Sequence, residues 1–356
     1  MSERLLKLRQ KLSEKELDGI LISQPENQRY LSGFDGSAGL LLITASETIL
    51  ATDFRYTEQA KQQAPDFQVV QTKGDLQEWF PGLVSNLKLK RLGFEAEHLT
   101  LASYQRLIEA VKGLSGQLQF VPAGDLVEQL RAIKEARELE LIAGAVKLAD
   151  QALKHISNII RPGMKEKEVS LEIERFLREN GSESLPFELI VAAGPRSALP
   201  HAKPTERPIQ KGEPIVVDIG ASLEGYCSDL TRTFYLGEAD ATFAKVYDIV
   251  LGAQLVAIAT LESGMSGEQA DRLARTVIEE AGYGKDFGHS LGHGVGLAPH
   301  EEPRLAPKVS GKLSDGMVFT VEPGIYITGW GGVRIEDMVV LEKGKPKVLS
   351  QFPKTR

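Results

Sequence analysis

Two stretches of this chain repeat one another, and a chain built on a repeat is constrained to fold into two related halves. Residues 163–181 read GMKEKEVSLEIERFLRENG and residues 264–282 read GMSGEQADRLARTVIEEAG, so that Gly163/Gly264, Met164/Met265, Glu179/Glu280 and Gly181/Gly282 coincide. Each copy has the spacing of an amphipathic helix closed by glycine. A strand-rich segment follows each one, PIVVDIGASLEGYCSDLTRTFYL and then MVFTVEPGIYITGWGGVRIEDMVVL. Both carry a β-branched run, a glycine-rich turn and a second strand. Both place one acid on each strand: Asp218 and Asp229 in the first, Glu322 and Glu336 in the second. A chance likeness between two amphipathic helices would not extend to matched hairpins. Two halves, each bringing a carboxylate pair, can build one site on a pseudo-twofold axis.

The acids sit where acids are costly. Asp218 ends the run IVVD, Glu322 lies in VFTVEPG and Glu336 in VRIEDMVV. A buried carboxylate needs a partner or a metal, and for one such acid a salt bridge or turn cap is the simpler reading. Four in matched hairpins repel one another and call for a cation. The chain has six histidines, and three of them, His289, His293 and His300, fall in FGHSLGHGVGLAPHEEP. The glycines exclude a regular helix, hence also the HExxH zinc helix, and point to an active-site loop with close backbone approach. One imidazole with four carboxylates suits manganese, cobalt or iron better than a thiolate-type structural zinc site. Acids shared between two ions would lower the pKa of a water and steady a tetrahedral intermediate, which is hydrolytic chemistry. No GxSxG elbow, P-loop or helix-opening GxGxxG offers a rival, and Cys227 reads as a packed thiol.

Length and charge set the frame. With 356 residues the chain has room for two domains. A net charge of −7 gives no basic footprint for nucleic acid. The apolar runs at 39–44 and 215–219 are too short to span a bilayer, and the charged N-terminus lacks a secretory apolar core. A single cysteine fits a reducing compartment, so the expected setting is cytoplasmic. Residues 1–123 alternate helix patterns (3–15, 56–64, 102–111) with strand patterns (18–23, 39–44, 48–52, 67–70, 92–94), an α/β domain. Pro122 and Gly124 then punctuate the chain. Residues 124–356 form the second domain, which opens on one long helical stretch from Asp125 and holds every candidate catalytic residue.

At these residues the chain resembles the pita-bread metallopeptidases, the family of aminopeptidase P, prolidase and methionine aminopeptidase. VVDIGASLEGYCSDLTRTF, GHSLGHGVGLAPHE, FTVEPGIYI and GGVRIED carry the resemblance over roughly residues 125–356. NQRYLSGFDGSAGLLLIT and TDFRYTEQA resemble the N-terminal domain of aminopeptidase P, prolidase and creatinase, with aminopeptidase P nearest. The resemblance implies an α/β N-terminal domain followed by an α+β pita-bread catalytic domain, duplicated about a pseudo-twofold. It implies two divalent ions, foremost Mn2+, with Co2+, Zn2+ or Fe2+ as alternatives. Asp218 would bind one ion, His293 and Glu322 the other, and Asp229 and Glu336 would bridge them. Glu322 would also handle the proton of the attacking water. His201 and His300 would contact substrate, His289 would line the pocket with a part in proton transfer, Arg334 would steady Asp218, and Tyr326 would support it. The expected activity is removal of the residue ahead of proline from peptides with proline second. The alternatives are a dipeptidase cleaving Xaa-Pro and an inactive binding protein on the same fold. The resemblance also implies a homodimer.

Overall fold

The structure, a computed structural model, describes residues 2–114 and 118–355. Its chain divides into two units, Met1–Arg131 and Ala132–Arg356. The first unit holds β1 (Gly19–Ile22), β2 (Leu40–Thr44), β3 (Thr48–Thr52), β4 (Gln68–Gln71), β5 (Arg91–Phe94) and β6 (Gln119–Pro122) in one sheet of order β4-β3-β2-β1-β5-β6. Helices α1 (Glu3–Glu14), α2 (Pro25–Ser32), α3 (Thr57–Gln63), α4 (Leu76–Ser85) and α5 (Leu101–Val111) complete it, with α6 (Leu126–Ala132) at its end. Helix α1 forms because Leu5, Leu8 and Leu12 recur at helical spacing and are buried, while Ser2 caps Leu5 N. Helices α2 and α4 were not expected. In α2 polar residues share the packing with Tyr30 and Leu31: buried Asn27 meets Glu95, and buried Gln28 bonds Ile22 O and Gly39 O. These polar contacts leave the helix for residues outside it, with Glu95 68 positions away, so no helical period reveals them.

The long helix expected from Asp125 is two helices, α6 and α7 (Ala136–Ile159). The break has a cause: Ile133 bridges Met317, Lys134 N donates to Gly316 O, and Glu135 caps α7 in a box with Glu138. The division between the units also falls past the 123/124 boundary. Leu126 and Val127 are buried, and Glu128 and Arg131 both bond Asn27, which ties α6 to the first unit.

The second unit repeats one plan. Helices α7 and α8 (Glu166–Glu179) pack on β7 (Ile190–Ala193), β8 (Pro214–Ile219) and β11 (Leu230–Tyr235), with a short ribbon of β9 (Ser222–Leu223) and β10 (Tyr226–Cys227) inserted between β8 and β11. Helices α9 (Ala241–Thr260) and α10 (Gly267–Glu280) pack on β12 (Gly292–Gly294), β13 (Glu301–Leu305), β14 (Val318–Val321), β17 (Asp337–Glu342) and β18 (Lys345–Val348). Between β14 and β17 lies another ribbon, β15 (Gly324–Ile327) with β16 (Gly331–Arg334). Strand, inserted ribbon and returning strand therefore occur twice. Gly181 and Gly282 follow the two repeat helices with φ of 107° and 89°, the left-handed close that glycine permits.

The apolar faces of the two helix pairs build two cores. Leu153, Ile156, Val169 and Ile173 meet Val191, Ile215 and Val217 in one; Val246, Val250, Ala274 and Ile278 meet Phe319, Val321 and Val339 in the other. Each fully buried Leu, Ile, Val or Phe contributes about 1.5–3 kcal/mol, so each hairpin is held rigidly against its helices. Helix α9 is long and apolar enough by length and composition to cross a membrane, contrary to the reading from the short apolar runs. Its apolar residues Phe243, Val246, Tyr247, Val250 and Ala253 are buried in this core, which accounts for the composition.

Candidate metal centre

The duplicated hairpins put their acids in equivalent places. Asp218 lies near the end of β8 and Asp229 just before β11; Glu322 follows β14 and Glu336 precedes β17. His293 is the middle residue of β12. The expected histidine loop is thus partly a strand. Its glycines serve neighbouring backbone: a Cβ at Gly292 would lie 2.0 Å from Thr320 O, and one at Gly294 2.1 Å from Glu302 O. Only glycine lets these strands come so close to the histidine between them.

The acids of both halves converge. One ligand atom each from Asp229, His293 and Glu336 lie within 4.8 Å of one another. His293 Nε2 is 3.3 Å from Glu322 Oε1 and 3.6 Å from Asp229 Oδ2. Its Nδ1 is 3.1 Å from the carbonyl of Gly294, which can only accept, so Nδ1 carries a proton and Nε2 faces the acids. Asp218 takes Arg334 Nη2 at 2.6 Å on one oxygen, while its buried Oδ1 has no partner among the described residues. A buried carboxylate oxygen with nothing to accept from is expensive, and a cation satisfies it. The residues fit divalent ions on chemistry as well, being oxygen donors with one imidazole.

Charge repulsion leaves its mark on ionisation. Burial, then the nearby Glu336, Asp218 and Glu322, push Asp229 well above the usual carboxylate range. Burial, then Glu322 and Asp218, do the same to Glu336. Burial also opposes the charge of Glu322, but the His293 hydrogen bond and charge outweigh it and hold that carboxyl at about 2. For His293 burial disfavours the cation, yet Glu322 prevails and raises it. Without metal, a proton on His293 compensates part of the clustered negative charge.

The expected supporting residues form a chain. Arg334 donates to Asp218, to Tyr326 OH at 2.8 Å, to Thr231 Oγ1 at 3.1 Å and to the carbonyl of Pro200, next to His201, at 3.3 Å. His289 Nε2 is 2.9 Å from Tyr326 OH, and its Nδ1 is 2.8 Å from Ser290 O. Burial holds His289 below its usual pKa, so the ring is neutral at pH 7. The proton must then sit on Nδ1, facing the carbonyl, and Tyr326 donates to Nε2. That arrangement leaves His289 no proton to deliver from Nε2. His300 stacks beside His293 with ring centroids 4.0 Å apart, and burial together with the charge of His293 lowers its pKa. His201 is exposed, and its charge weighs against protonation of both His289 and His300.

Two contributors were not foreseen. Thr231 Oγ1 donates to Glu336 Oε2 at 2.6 Å, and Thr320 Oγ1 donates to Glu322 Oε1 at 3.1 Å while accepting His293 N. Each threonine stands two residues from an acid, in DLT and TVE, and the period of two that aligns side chains on one strand face was the available signal. Arg304, exposed on β13, pairs with His293 across the β12–β13 ladder, so both side chains leave the same face. Only the strand pairing reveals it. Replacing Arg334 by alanine should weaken Mn2+ binding or turnover by about ten- to a hundredfold, the usual cost of losing a group that orients a ligand. Calorimetric Mn2+ titration beside peptidase kinetics checks this, and unchanged values in both would leave Arg334 a purely structural residue.

The family model described as Metallopeptidase family M24 matches residues 140–343, and that described as Creatinase/Prolidase N-terminal domain matches residues 4–133. The Xaa-Pro dipeptidase of Pyrococcus furiosus is 38% identical over 353 residues, 99% of this chain and 98% of the relative. Among solved structures, an Xaa-Pro dipeptidase from Bacillus anthracis superposes with a TM-score of 0.95 at 43% identity, covering 99% of this chain and 98% of that one. An X-Pro aminopeptidase from Thermotoga maritima superposes with a TM-score of 0.90 at 39% identity, again over 99% and 98% of the two chains.

Proposed function

The chain belongs to metallopeptidase family M24, and from that premise we propose that it is an Xaa-Pro dipeptidase using two divalent ions. The similarity along nearly the whole chain to Xaa-Pro dipeptidases of two organisms carries this reading. Arg304 supports it from the structure. A dipeptide ends in a carboxylate just beyond proline, and an ion brought into a site needs a partner. Arg304 pairs with His293 across the two strands, and in this reading its guanidinium would receive that carboxylate.

Asp218, Asp229, His293, Glu322 and Glu336 would hold the ions. When bound, these supply Lewis acidity, polarising the scissile carbonyl and lowering the pKa of water. Glu322 is ionised throughout the working pH range and accepts the proton of the attacking water. Neutral His300 presents an N–H to the oxygen that gains charge as the carbonyl becomes tetrahedral. Tyr326 and Arg334 keep Asp218 and the segment before His201 in place. Proline has no amide N–H and a fixed φ, so selection rests on the shape of its ring. The proposal includes manganese as the ion, from the ligand set; a cytoplasmic setting, from the single Cys227; and a homodimer, from the family resemblance.

The aminopeptidase expected from sequence is the second reading, favoured by SGFDGSAG and by the Thermotoga maritima likeness. The comparison is kcat/KM for Ala-Pro against Ala-Pro-Ala with the same Mn2+. A dipeptidase prefers Ala-Pro, and Arg304→Ala removes that preference mainly through KM. Preference for the tripeptide, unmoved by Arg304→Ala, would install the aminopeptidase reading.

A further inference from the structure

Glu336 and Asp337 are neighbours at the start of β17, and the two side chains are held from opposite faces. In front, Glu336 takes the hydroxyl of Thr231, and Glu336 N donates to Thr231 O at 3.2 Å. Behind, the carboxylate of Asp337 is 1% exposed and fully engaged. Its Oδ1 accepts from Arg232 Nη2 and Ser350 Oγ, both at 2.8 Å; its Oδ2 accepts from Lys354 Nζ at 2.6 Å and Gln254 Nε2 at 2.7 Å. Arg232 also donates through Nη1 to the backbone carbonyl of Glu336.

Two of these partners, Ser350 and Lys354, belong to the C-terminal segment, which is itself fastened along its length. Gln351 N and Phe352 N each donate at 2.8 Å to the carboxylate of Asp150 on α7. The carbonyl of Phe352 accepts from Arg232 at 2.7 and 3.2 Å, and its ring lies 6.1 Å from that of Phe234 on β11. Lys354 Nζ reaches Gln254 on α9 at 3.0 Å as well as Asp337. Asp150, Arg232 and Phe234 belong to the first half of the duplication; Gln254 and Asp337 belong to the second. The segment is thus a strap across the joint between the halves, and the candidate centre takes acids from both. What fixes the joint fixes the spacing of Asp218 and Asp229 against His293, Glu322 and Glu336.

We propose that Lys354, through Asp337, is a positioning residue for Glu336, and that the C-terminal strap Ser350–Lys354 sets the affinity of the metal centre. The proposal rests on the reading of Glu336 as a metal ligand. Taking away Lys354 leaves a buried carboxylate with one cation, Arg232, whose other bonds pull toward Phe352 and the Glu336 carbonyl. Asp337 then has freedom to turn, and Glu336 turns with it.

The test is calorimetric titration of Mn2+ into chelated protein, well below the melting temperature, for the unaltered chain, Lys354→Met, Lys354→Arg and Lys345→Met. Loss of an orienting group costs about tenfold or more in metal affinity. Lys354→Met should show that loss with a cooperative melt retained, Lys354→Arg should recover most of it, and Lys345→Met, which breaks only the exposed pair with Glu262, should match the unaltered chain. A lower melting temperature with unchanged Mn2+ affinity in Lys354→Met overturns the proposal, because a merely structural strap behaves that way. If Lys354→Met does not fold, Ser350→Ala decides: it deletes one of the four bonds to Asp337, and affinity equal to that of the unaltered chain again overturns the idea. No Mn2+ binding by the unaltered chain removes the ligand reading itself, and this proposal with it.

Discussion

Glu322→Gln lowers kcat/KM for Ala-Pro by about a hundredfold or more, the scale on which a positioned acid–base group contributes. The substitution keeps the size of the side chain and the hydrogen bond from Thr320, so the strand end that carries residue 322 has no steric reason to move. What it removes is charge. Glu322 is the acid that His293 holds at about 2 against the effect of burial, hence one that is ionised under any working condition. A glutamine offers neither a proton acceptor for water nor a negative charge toward a cation, and its amide N–H would face Nε2 of His293. Asp53→Asn is the control: it breaks an exposed pair with Arg55 in the other unit and should leave kcat/KM nearly unchanged. Far-ultraviolet circular dichroism and melting establish that both variants fold. Equal rates in the two would remove Glu322 from the chemistry.

Chelated protein should lose stability as pH rises above about 6.5, and Mn2+ should restore more of it the higher the pH. Asp229 and Glu336 have folded pKa values raised above those of the unfolded chain. They keep protons in the native state that the unfolded chain has released. Their contribution is fully present below the unfolded carboxylate pKa of about 4 and is lost as pH rises through the folded values. His293, raised by Glu322, acts in the same direction from about 6.5 upward. His289 and His300 are lowered, so they oppose this trend below about 6.5 and add nothing to the slope above it. Glu322 is lowered too, but its contribution is lost only as pH falls toward 2. Above about 6.5 every remaining term has one sign. A divalent ion takes over the compensation that protons provided, and its binding strengthens as the ligands deprotonate. Melting temperatures with chelator and with Mn2+, measured across that range, check the prediction. A gap between the two curves that stays constant or narrows with pH would contradict the clustered acids as the metal-binding group.

Much of this was legible because it was local. The acids at 218, 322 and 336 stood out as charges in apolar runs and Asp229 by its place in the matched hairpin, and burial of a carboxylate is costly wherever the strand goes. The two repeat helices announced themselves by period and by terminal glycine, and the expected first-unit strands fell close to their bounds, while β6 was not expected. Thr231 and Thr320 were within reach of the same method, since side chains two apart on a strand share a face. The α6–α7 break was not, because Ile133 leaves the helix to pair with Met317, far along the chain. Nor was the tautomer of His289, which depends on Ser290 O and Tyr326 OH together.

Sequence by itself determined the kinds of group available and their duplication, because composition and spacing record what each segment must bury and which charges it must compensate; the metallopeptidase reading of the second half came from the resemblance that its motifs carry. Tertiary structure decided which groups meet. It brought Asp229, His293 and Glu336 from three separate segments within 4.8 Å, set Arg304 beside His293, and stretched the C-terminal segment behind Glu336. Those juxtapositions come from strand register and from helices packing on hairpins, interactions between residues up to some two hundred apart. No local period encodes them; they exist only once both halves have closed on their cores.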